Sequence, residues 1–311
     1  MNSEGFLADI LAEPEALRRV AEHHGEARLE RLLDRPRLLF VGMGSSRFAA
    51  LNAVADLRAR GLDAYAELAS TGLPQPPSAG TACVLISASG NSAETLEALR
   101  RHRRRSSVVV ITNAPMSELA SRADVSVDVL AGPEQGGVAC RSFACTQAVL
   151  ALMCGAAADR VRRAAEAVQS LIESRGVWLN DLASLAEAAR GVWVSGPAER
   201  IGTVEQSALM LREGPRIIAD ACETGDWLHV DVYLTKRPDY LLLLHAGSAF
   251  DAEAAGWRRE RGFDLITVGG DVAGATGAIG FPGSDDPVVA SIAGTVVAEL
   301  LAAELWRRHP I

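Results

Sequence analysis

The chain has 311 residues, of which 49% are hydrophobic and 23% charged, with a formal net charge of −8. That length leaves room for two ordinary domains with substantial packed cores, and the acidic balance argues against nucleic acid as a partner. The five cysteines (Cys83, Cys140, Cys145, Cys154, Cys222) form no CxxC pair and are odd in number. Reduced, mostly buried thiols in a cytoplasmic protein are expected, with neither a disulfide framework nor a structural zinc site.

The first residues, MNSEGFLADILAEPEALRRV, are acidic and amphipathic, unlike a secretory signal or an Arg-rich transit peptide. No uninterrupted apolar run reaches bilayer length, so no membrane association is expected. From Phe6 to His24, Leu7, Ile10, Leu11, Leu17 and Val20 fall on one helical side. Pro14 divides this stretch into two helices or kinks it, and His23 and His24 are expected at the surface. From Leu38 onward strands and helices alternate. Strands fit Leu38–Val41, Ala64–Leu68, Cys83–Ser87, Val108–Thr112 and Ser126–Val129. Near-continuous apolar strands in alternation with helices predict a parallel sheet covered on both faces.

Two turns in this half are unusual. The first strand runs into Gly42-Met43-Gly44-Ser45-Ser46 and then a helix through Asn52 and Leu57. The strand ending at Ile86 runs into Ser87-Ala88-Ser89-Gly90-Asn91-Ser92 and then a helix bearing Leu96 and Leu99. A strand-to-helix turn leaves the first helical N–H groups unpaired, and with the helix dipole and nearby hydroxyls they can cradle a phosphate. An ordinary N-cap reads equally well from the same residues. The absence of Gly-Lys-Ser/Thr excludes a nucleoside-triphosphate P-loop, and no third glycine completes a dinucleotide fingerprint. The basic run Arg100–Arg105 closes the second of these helices, where cations complement the helix C-terminus and face solvent.

Together, GMGSSRFAA and ISASGNSAET closely resemble the sugar isomerase (SIS) domain family, whose phosphate loop is written ISxSGxTxET. The resemblance implies that Ser87, Ser89 and Ser92 hold the phosphate of a phosphosugar and that Ser45 and Ser46 line the sugar. The following segment, AGPEQGGVACRSFACTQAVLAL, resembles the family's AGxExGVASTKxFTTQ, which closes over the substrate. By that resemblance Val138, Cys140 and Arg141 contact the ligand; Cys140, Arg141 and Ser142 replace Ser-Thr-Lys, which bears on sugar specificity. Arg141 suits a substrate anion, and equally an exposed helix start.

A long helix is expected from about Arg141 to Ser170, and a second α/β unit from about Gly191. Its strands fit Val192–Ser195, Arg216–Ala219, Tyr240–His245 and Asp264–Val268, with Gly196-Pro197 and Ala246-Gly247-Ser248 in place of the two turns. The resemblance therefore implies two flavodoxin-like three-layer α/β/α SIS domains with parallel sheets, divided as residues 1–175 and 176–311.

In the second half Glu213 ends a helix before Gly214-Pro215, where an acid is electrostatically disfavoured. His229 follows after a turn; a carboxylate and an imidazole in one cleft would suit proton shuttling between adjacent carbons. ALMLREGPRIIADACETGDWLHVD resembles the isomerase half of the glutamine:fructose-6-phosphate amidotransferases, whose glutamate moves the proton and whose histidine assists ring opening. Those roles fall on Glu213 and His229. Met210 stands in place of a lysine and Gln206 in place of a second glutamate. The sequence as read offers neither the lysine-bearing tail nor a glutaminase domain with Cys at position 2, so glutamine-dependent synthesis is not expected. His102 belongs to the arginine run, His245 to the packed end of a strand, and His309 to the terminus; no metal-ligand spacing occurs.

The function expected is an aldose–ketose isomerase, or a deaminase or deglycase of an amino-sugar phosphate, with no cofactor or metal. The resemblance also implies a homodimer. A sugar-phosphate sensor without catalysis is the alternative, favoured by Met210 and the missing tail.

Overall fold

The computed structural model describes residues 1–310. In chain order the first half holds α1 (Ser3–Leu11), α2 (Glu13–His24), β1 (Arg37–Gly42), α3 (Ser45–Ala59), β2 (Asp63–Leu68), β3 (Thr81–Ile86), α4 (Ala93–His102), β4 (Ser107–Thr112), α5 (Glu118–Arg122) and β5 (Val125–Asp128). Two helices follow, α6 (Arg141–Met153) and α7 (Ala158–Ala188). The second half holds β6 (Val192–Gly196), α8 (Ile201–Glu213), β7 (Ala219–Glu223), α9 (Thr224–Trp227), β8 (Leu241–His245), α10 (Asp251–Arg261), β9 (Asp264–Gly269), β10 (Gly277–Gly280), α11 (Pro287–Ala293) and α12 (Val296–Arg308).

Each half contains one five-stranded sheet, in the orders β2-β1-β3-β4-β5 and β10-β9-β8-β6-β7. Every strand pair is parallel. Read from the other edge, the second order repeats the first, so both sheets are doubly wound with the strand order reversing between the first and third strands. The expected pair of parallel three-layer α/β/α domains is what the chain forms. Every residue of β3 and of β8 is buried, as a central parallel strand between two helical layers requires.

By contacts, the chain divides into two compact units. One comprises Glu15–Pro133 and Arg141–Arg162. Its sheet packs Leu39, Val41, Cys83, Leu85, Val108 and Val110 against Ala98 and Leu99 of α4 and Leu119 of α5. The other comprises Met1–Pro14, Glu134–Cys140 and Arg163–Ile311. Its core gathers Trp227, Tyr240, Leu242, Leu244, Phe263 and Leu265, where Trp227 Nε1 donates to the Tyr240 hydroxyl at 2.8 Å.

Some local expectations are resolved by the structure and others corrected. The amphipathic N-terminal stretch is two helices, with Pro14 at the second position of α2, where no N–H is needed. The long helix after Arg141 breaks at Gly155, whose φ is +81°. β7 starts at Ala219 rather than Arg216, because Pro215 has no N–H and Arg216 sits at φ +57°. β10, short and bounded by glycines, carries no periodic signal. His24 is buried, its Nε2 donating to the Asp128 carbonyl at 2.6 Å. His102 is also buried, paired with the Ser106 hydroxyl at 3.0 Å, while Arg103–Arg105 around it are exposed. Residues 287–308 form a helical stretch long and apolar enough to cross a membrane, but 83% of its apolar window is buried inside the fold, as a core helix would be.

One buried polar contact stands out in this core. Glu299 on α12 is fully buried, and its carboxyl faces that of Glu13, which is buried too. Two carboxyl groups facing each other out of water cannot both ionise cheaply, so the protonated form is favoured. Burial, with the Glu134 carboxylate adding to it, pushes Glu299 up to about 7. A raised carboxyl contributes stability that is present below its ordinary value and lost as pH rises through the folded one. The protein is therefore expected to lose on the order of 2 kcal/mol of stability between about pH 5 and pH 8 through this group. Glu299→Gln, which cannot titrate, should flatten that dependence in urea unfolding; an unchanged slope would show that Glu299 is not the group responsible.

Candidate functional site

In the unit of the first sheet, the carboxyl ends of neighbouring strands β1 and β3 carry the two hydroxyl-rich turns, at the point where the strand order reverses and ligands bind in this architecture. Ser87 extends β3 by one residue, its N–H donating to the Ile111 carbonyl at 3.1 Å. Its buried hydroxyl accepts from the Gly90 N–H at 3.2 Å. Gly90 has φ +65°, and a Cβ there would lie 2.0 Å from Ser117 Oγ and 3.1 Å from Thr112 Oγ1. Only glycine lets the turn fold down onto the next loop.

Ser89 is exposed at the tip of the turn. Ser92 occupies the N-cap position of α4, but its side chain caps no amide; it donates instead to Thr95 Oγ1 at 2.5 Å. The amides of the first helical turn are thus left without a side-chain acceptor, as an anion site requires and an ordinary cap does not. Ser45 and Ser46 open α3 after Gly44, whose φ is +47°, and both are half-buried. Beneath the second turn lie two residues that sequence reasoning missed. The Thr112 hydroxyl donates to the Ala88 carbonyl at 3.3 Å. Asn113 donates its N–H to the same carbonyl at 3.1 Å and binds Gly132 O and Ala131 N through its side chain. Their only signal was a polar pair directly after an apolar strand. Arg141 opens α6 half-buried, its Nη2 donating to the Pro133 carbonyl at 2.6 Å.

The equivalent turn after β8 is built differently. The Asp251 carboxylate accepts from the Gly247 N–H at 2.6 Å and the Ser248 N–H at 3.1 Å. Buried Arg200 donates to the Ala246 carbonyl beside it. The position that would take an anion already holds the chain's own carboxylate. His245, just before this turn, is buried and paired with the Ser207 hydroxyl at 3.2 Å; burial and the Arg200 guanidinium push it down to about 3, so it stays neutral.

In the same unit, Val138 and Cys140 are buried within the segment Glu134–Cys140, and the Cys140 N–H donates to Glu134 Oε1 at 2.9 Å. Glu213 is the last residue of α8 and half-buried. Burial first, and then the Glu134 carboxylate, hold its carboxyl above the ordinary range. The positions of the resemblance's lysine and second glutamate, Met210 and Gln206, are both fully buried, with Gln206 Nε2 3.6 Å from the Met210 sulfur. His229 is exposed just beyond α9, and no hydrogen bond or ion pair joins it to Glu213 among the described residues. No group of three or more His, Cys, Asp or Glu is placed to hold a metal ion among the described residues.

The profile of the family described as "SIS domain" matches residues 31–155. Glutamine–fructose-6-phosphate aminotransferase [isomerizing] of Zymomonas mobilis is 29% identical over 209 residues, covering 61% of this chain and 34% of that protein. The enzyme of the same name from Rhizobium meliloti is 30% identical over 175 residues, covering 51% and 29%. The chain thus spans about a third of the length of the curated relatives it matches. Among solved structures, the C-terminal domain of glucosamine-fructose-6-phosphate aminotransferase from Francisella tularensis superposes with a TM-score of 0.84 at 18% identity, covering 97% of this chain and 96% of that one. Tagatose-6-phosphate ketose/aldose isomerase from Escherichia coli gives 0.84 at 17%, covering 98% and 93%. Glucosamine-6-phosphate deaminase from Thermotoga maritima gives 0.74 at 20%, covering 99% and 95%.

Because Gly90 is held at φ +65° against Ser117, Gly90→Ala combines a left-handed alanine with a backbone-displacing clash. The variant should be less stable by about 2 kcal/mol or more in chemical denaturation. A variant as stable as the wild type would mean that the turn is not locked against α5.

Proposed function

From a chain that carries a SIS domain over residues 31–155, we propose a phosphosugar-binding enzyme that moves a proton between adjacent sugar carbons. The observation that carries the reading is the turn Ser87–Ser92, whose helix-start amides have no side-chain cap although a serine stands in the capping position. In this reading those amides, with Ser87, Ser89 and Ser92, take the phosphate. Ser45 and Ser46, on the neighbouring turn, bind the sugar hydroxyls, and Val138, Cys140 and Arg141 contact the ligand. Phosphate at a helix N-terminus gains from both the open N–H groups and the dipole.

Glu213 is the acid–base group. Its buried setting raises its proton affinity, which suits a carboxyl that must take a proton from one carbon and return it to the next through an enediol-like intermediate. His229, exposed beyond α9, protonates or opens the sugar ring in this reading. The reaction class is aldose–ketose isomerisation or loss of an amine from an amino-sugar phosphate. Met210 supports a second reading, a sensor that binds without turnover, because no ammonium on α8 steadies a developing negative charge.

Incubation with hexose and amino-hexose 6-phosphates in deuterated water separates the two. Deuterium should enter at the carbon beside the carbonyl, and Glu213→Gln should abolish exchange, by at least about a hundredfold, while calorimetric binding persists. Binding without exchange by any of these sugars would establish the sensor, and no binding at all would remove both readings. Exchange depends on ionised Glu213, so its rate should rise with pH through a midpoint above the ordinary carboxylate range. Glu134→Gln, which keeps an acceptor for Cys140 but removes the repelling charge, should move that midpoint to lower pH.

The working form is read as a cytoplasmic homodimer, on the strength of the family. Sedimentation at micromolar concentration should give twice the 32.8 kDa chain mass; a monomer would remove this part of the reading.

A further inference from the structure

The segment Glu134–Cys140 contains consecutive glycines, Gly136 and Gly137, with Gly137 at φ +74°. Left to itself such a stretch is among the most flexible in a chain. In this protein it is fastened at both ends by side chains from helices distant in sequence.

At its start, Asp9 on α1 is 1% exposed, and its Oδ2 accepts from the Gln135 N–H at 2.7 Å and the Gly136 N–H at 2.8 Å. Two amides on one carboxylate oxygen are charge-assisted and strong. Asn2 reinforces the contact. It caps α1 through the Gly5 N–H at 2.6 Å, donates its side-chain amide to the Gln135 carbonyl at 3.2 Å, and donates its own N–H to the Gly136 carbonyl at 3.2 Å. The two backbones approach so closely that both sides need glycine. A Cβ on Gly5 would lie 2.8 Å from the Gln135 carbonyl carbon, and one on Gly136 would lie 2.4 Å from the Phe6 Cα.

At its other end, fully buried Gln206 on α8 donates Nε2 to the Ala139 carbonyl at 2.8 Å. Its Oε1 is buried without a hydrogen-bond partner. An amide side chain kept in a site that leaves its acceptor unmet is held there for its donor. A glutamate at this position, ionised, has no hydrogen to give. Between the two fastenings lies Val138, 1% exposed.

We propose that Asp9 and Gln206 are positioning residues of the ligand site, which clamp the segment 134–140 from α1 and α8 and make the N-terminal helix a working part of sugar-phosphate binding. The inference rests on the reading above, in which Val138 and Cys140 contact the ligand. It goes beyond it by assigning positioning roles to Asp9 and Gln206, to which that reading gives none, and to the N-terminal helix. The same helix α8 ends in Glu213, so the Gln206 fastening also ties the placement of the segment to that of the acid–base group.

The test compares the full-length wild type with Asp9→Ala, Asp9→Asn and Gln206→Glu, by amide hydrogen exchange and by calorimetric titration with fructose 6-phosphate and glucosamine 6-phosphate. Asp9→Ala and Gln206→Glu should exchange at least about tenfold faster over residues 134–140, with β3 and β8 still protected. Both should bind sugar phosphate at least about tenfold more weakly, and Asp9→Asn, which retains an acceptor oxygen, should recover part of each loss. Should Asp9→Ala fail to fold, Gln206→Glu decides from the opposite end. Unchanged exchange over 134–140, or faster exchange with undiminished affinity, overturns the proposal. A wild type that binds neither sugar phosphate defeats the functional reading instead, and is told apart from this failure because the variants are then never compared in binding.

Discussion

The candidate phosphate turn depends on one close approach: the Gly90 backbone lying against the Ser117 side chain. β3 is buried along its whole length, so the chain must leave the sheet within a few residues and start a helix with its amides unspent. Gly90 makes that possible because no Cβ stands between the turn and the loop after β4. Thr112 and Asn113 then hold Ala88 from below, and the Ser117 hydroxyl, which accepts from the Ala120 N–H at 3.3 Å, starts the adjacent helix α5. The result is a rigid rim of donors at the edge of the first sheet. A preorganised rim of this kind loses little entropy when an anion arrives.

The two sheets share one strand order and differ in what fills the same turn. After β3 the amides are open; after β8 Asp251 occupies them, with Arg200 alongside. Fold repetition therefore does not carry function with it: a single side chain four residues past Gly247 converts a potential anion site into a closed structural turn. In the other unit, α8 bears Gln206, Met210 and Glu213 on successive turns.

On α8 the chemistry is set by burial more than by partners. Met210 and Gln206 are neutral and sealed from solvent, while Glu213 meets a partly dehydrated setting and the like charge of Glu134. Both effects favour its protonated form. Glu299 carries the same logic further: fully buried and facing Glu13 in the core of the same unit, it too is pushed toward its protonated form.

Much of this was legible locally. Apolar runs such as Leu38–Val41 and Cys83–Ile86 report buried parallel strands by themselves, because a central strand needs apolar residues on both faces. The Ser87–Ser92 turn declares small residues and donors in a row. The placement of Glu213 at a helix end follows from Gly214-Pro215 directly after it. What required tertiary structure is whatever depends on a partner far along the chain. His24 reads as a surface residue on its helix until the Asp128 carbonyl accepts its Nε2–H, and nothing in the sequence announces that Asp9 accepts from the Gln135 and Gly136 amides. The start of β7 escaped for a related reason, since the left-handed Arg216 is held in a turn where the Ile217 N–H reaches back to Leu211. Periodicity records which face of an element is buried, never what lies against it. So the sequence by itself determined the parallel architecture and the donor-rich turn, while the tertiary structure alone decided which turn is open, which carboxyls are forced together, and what holds residues 134–140 in place.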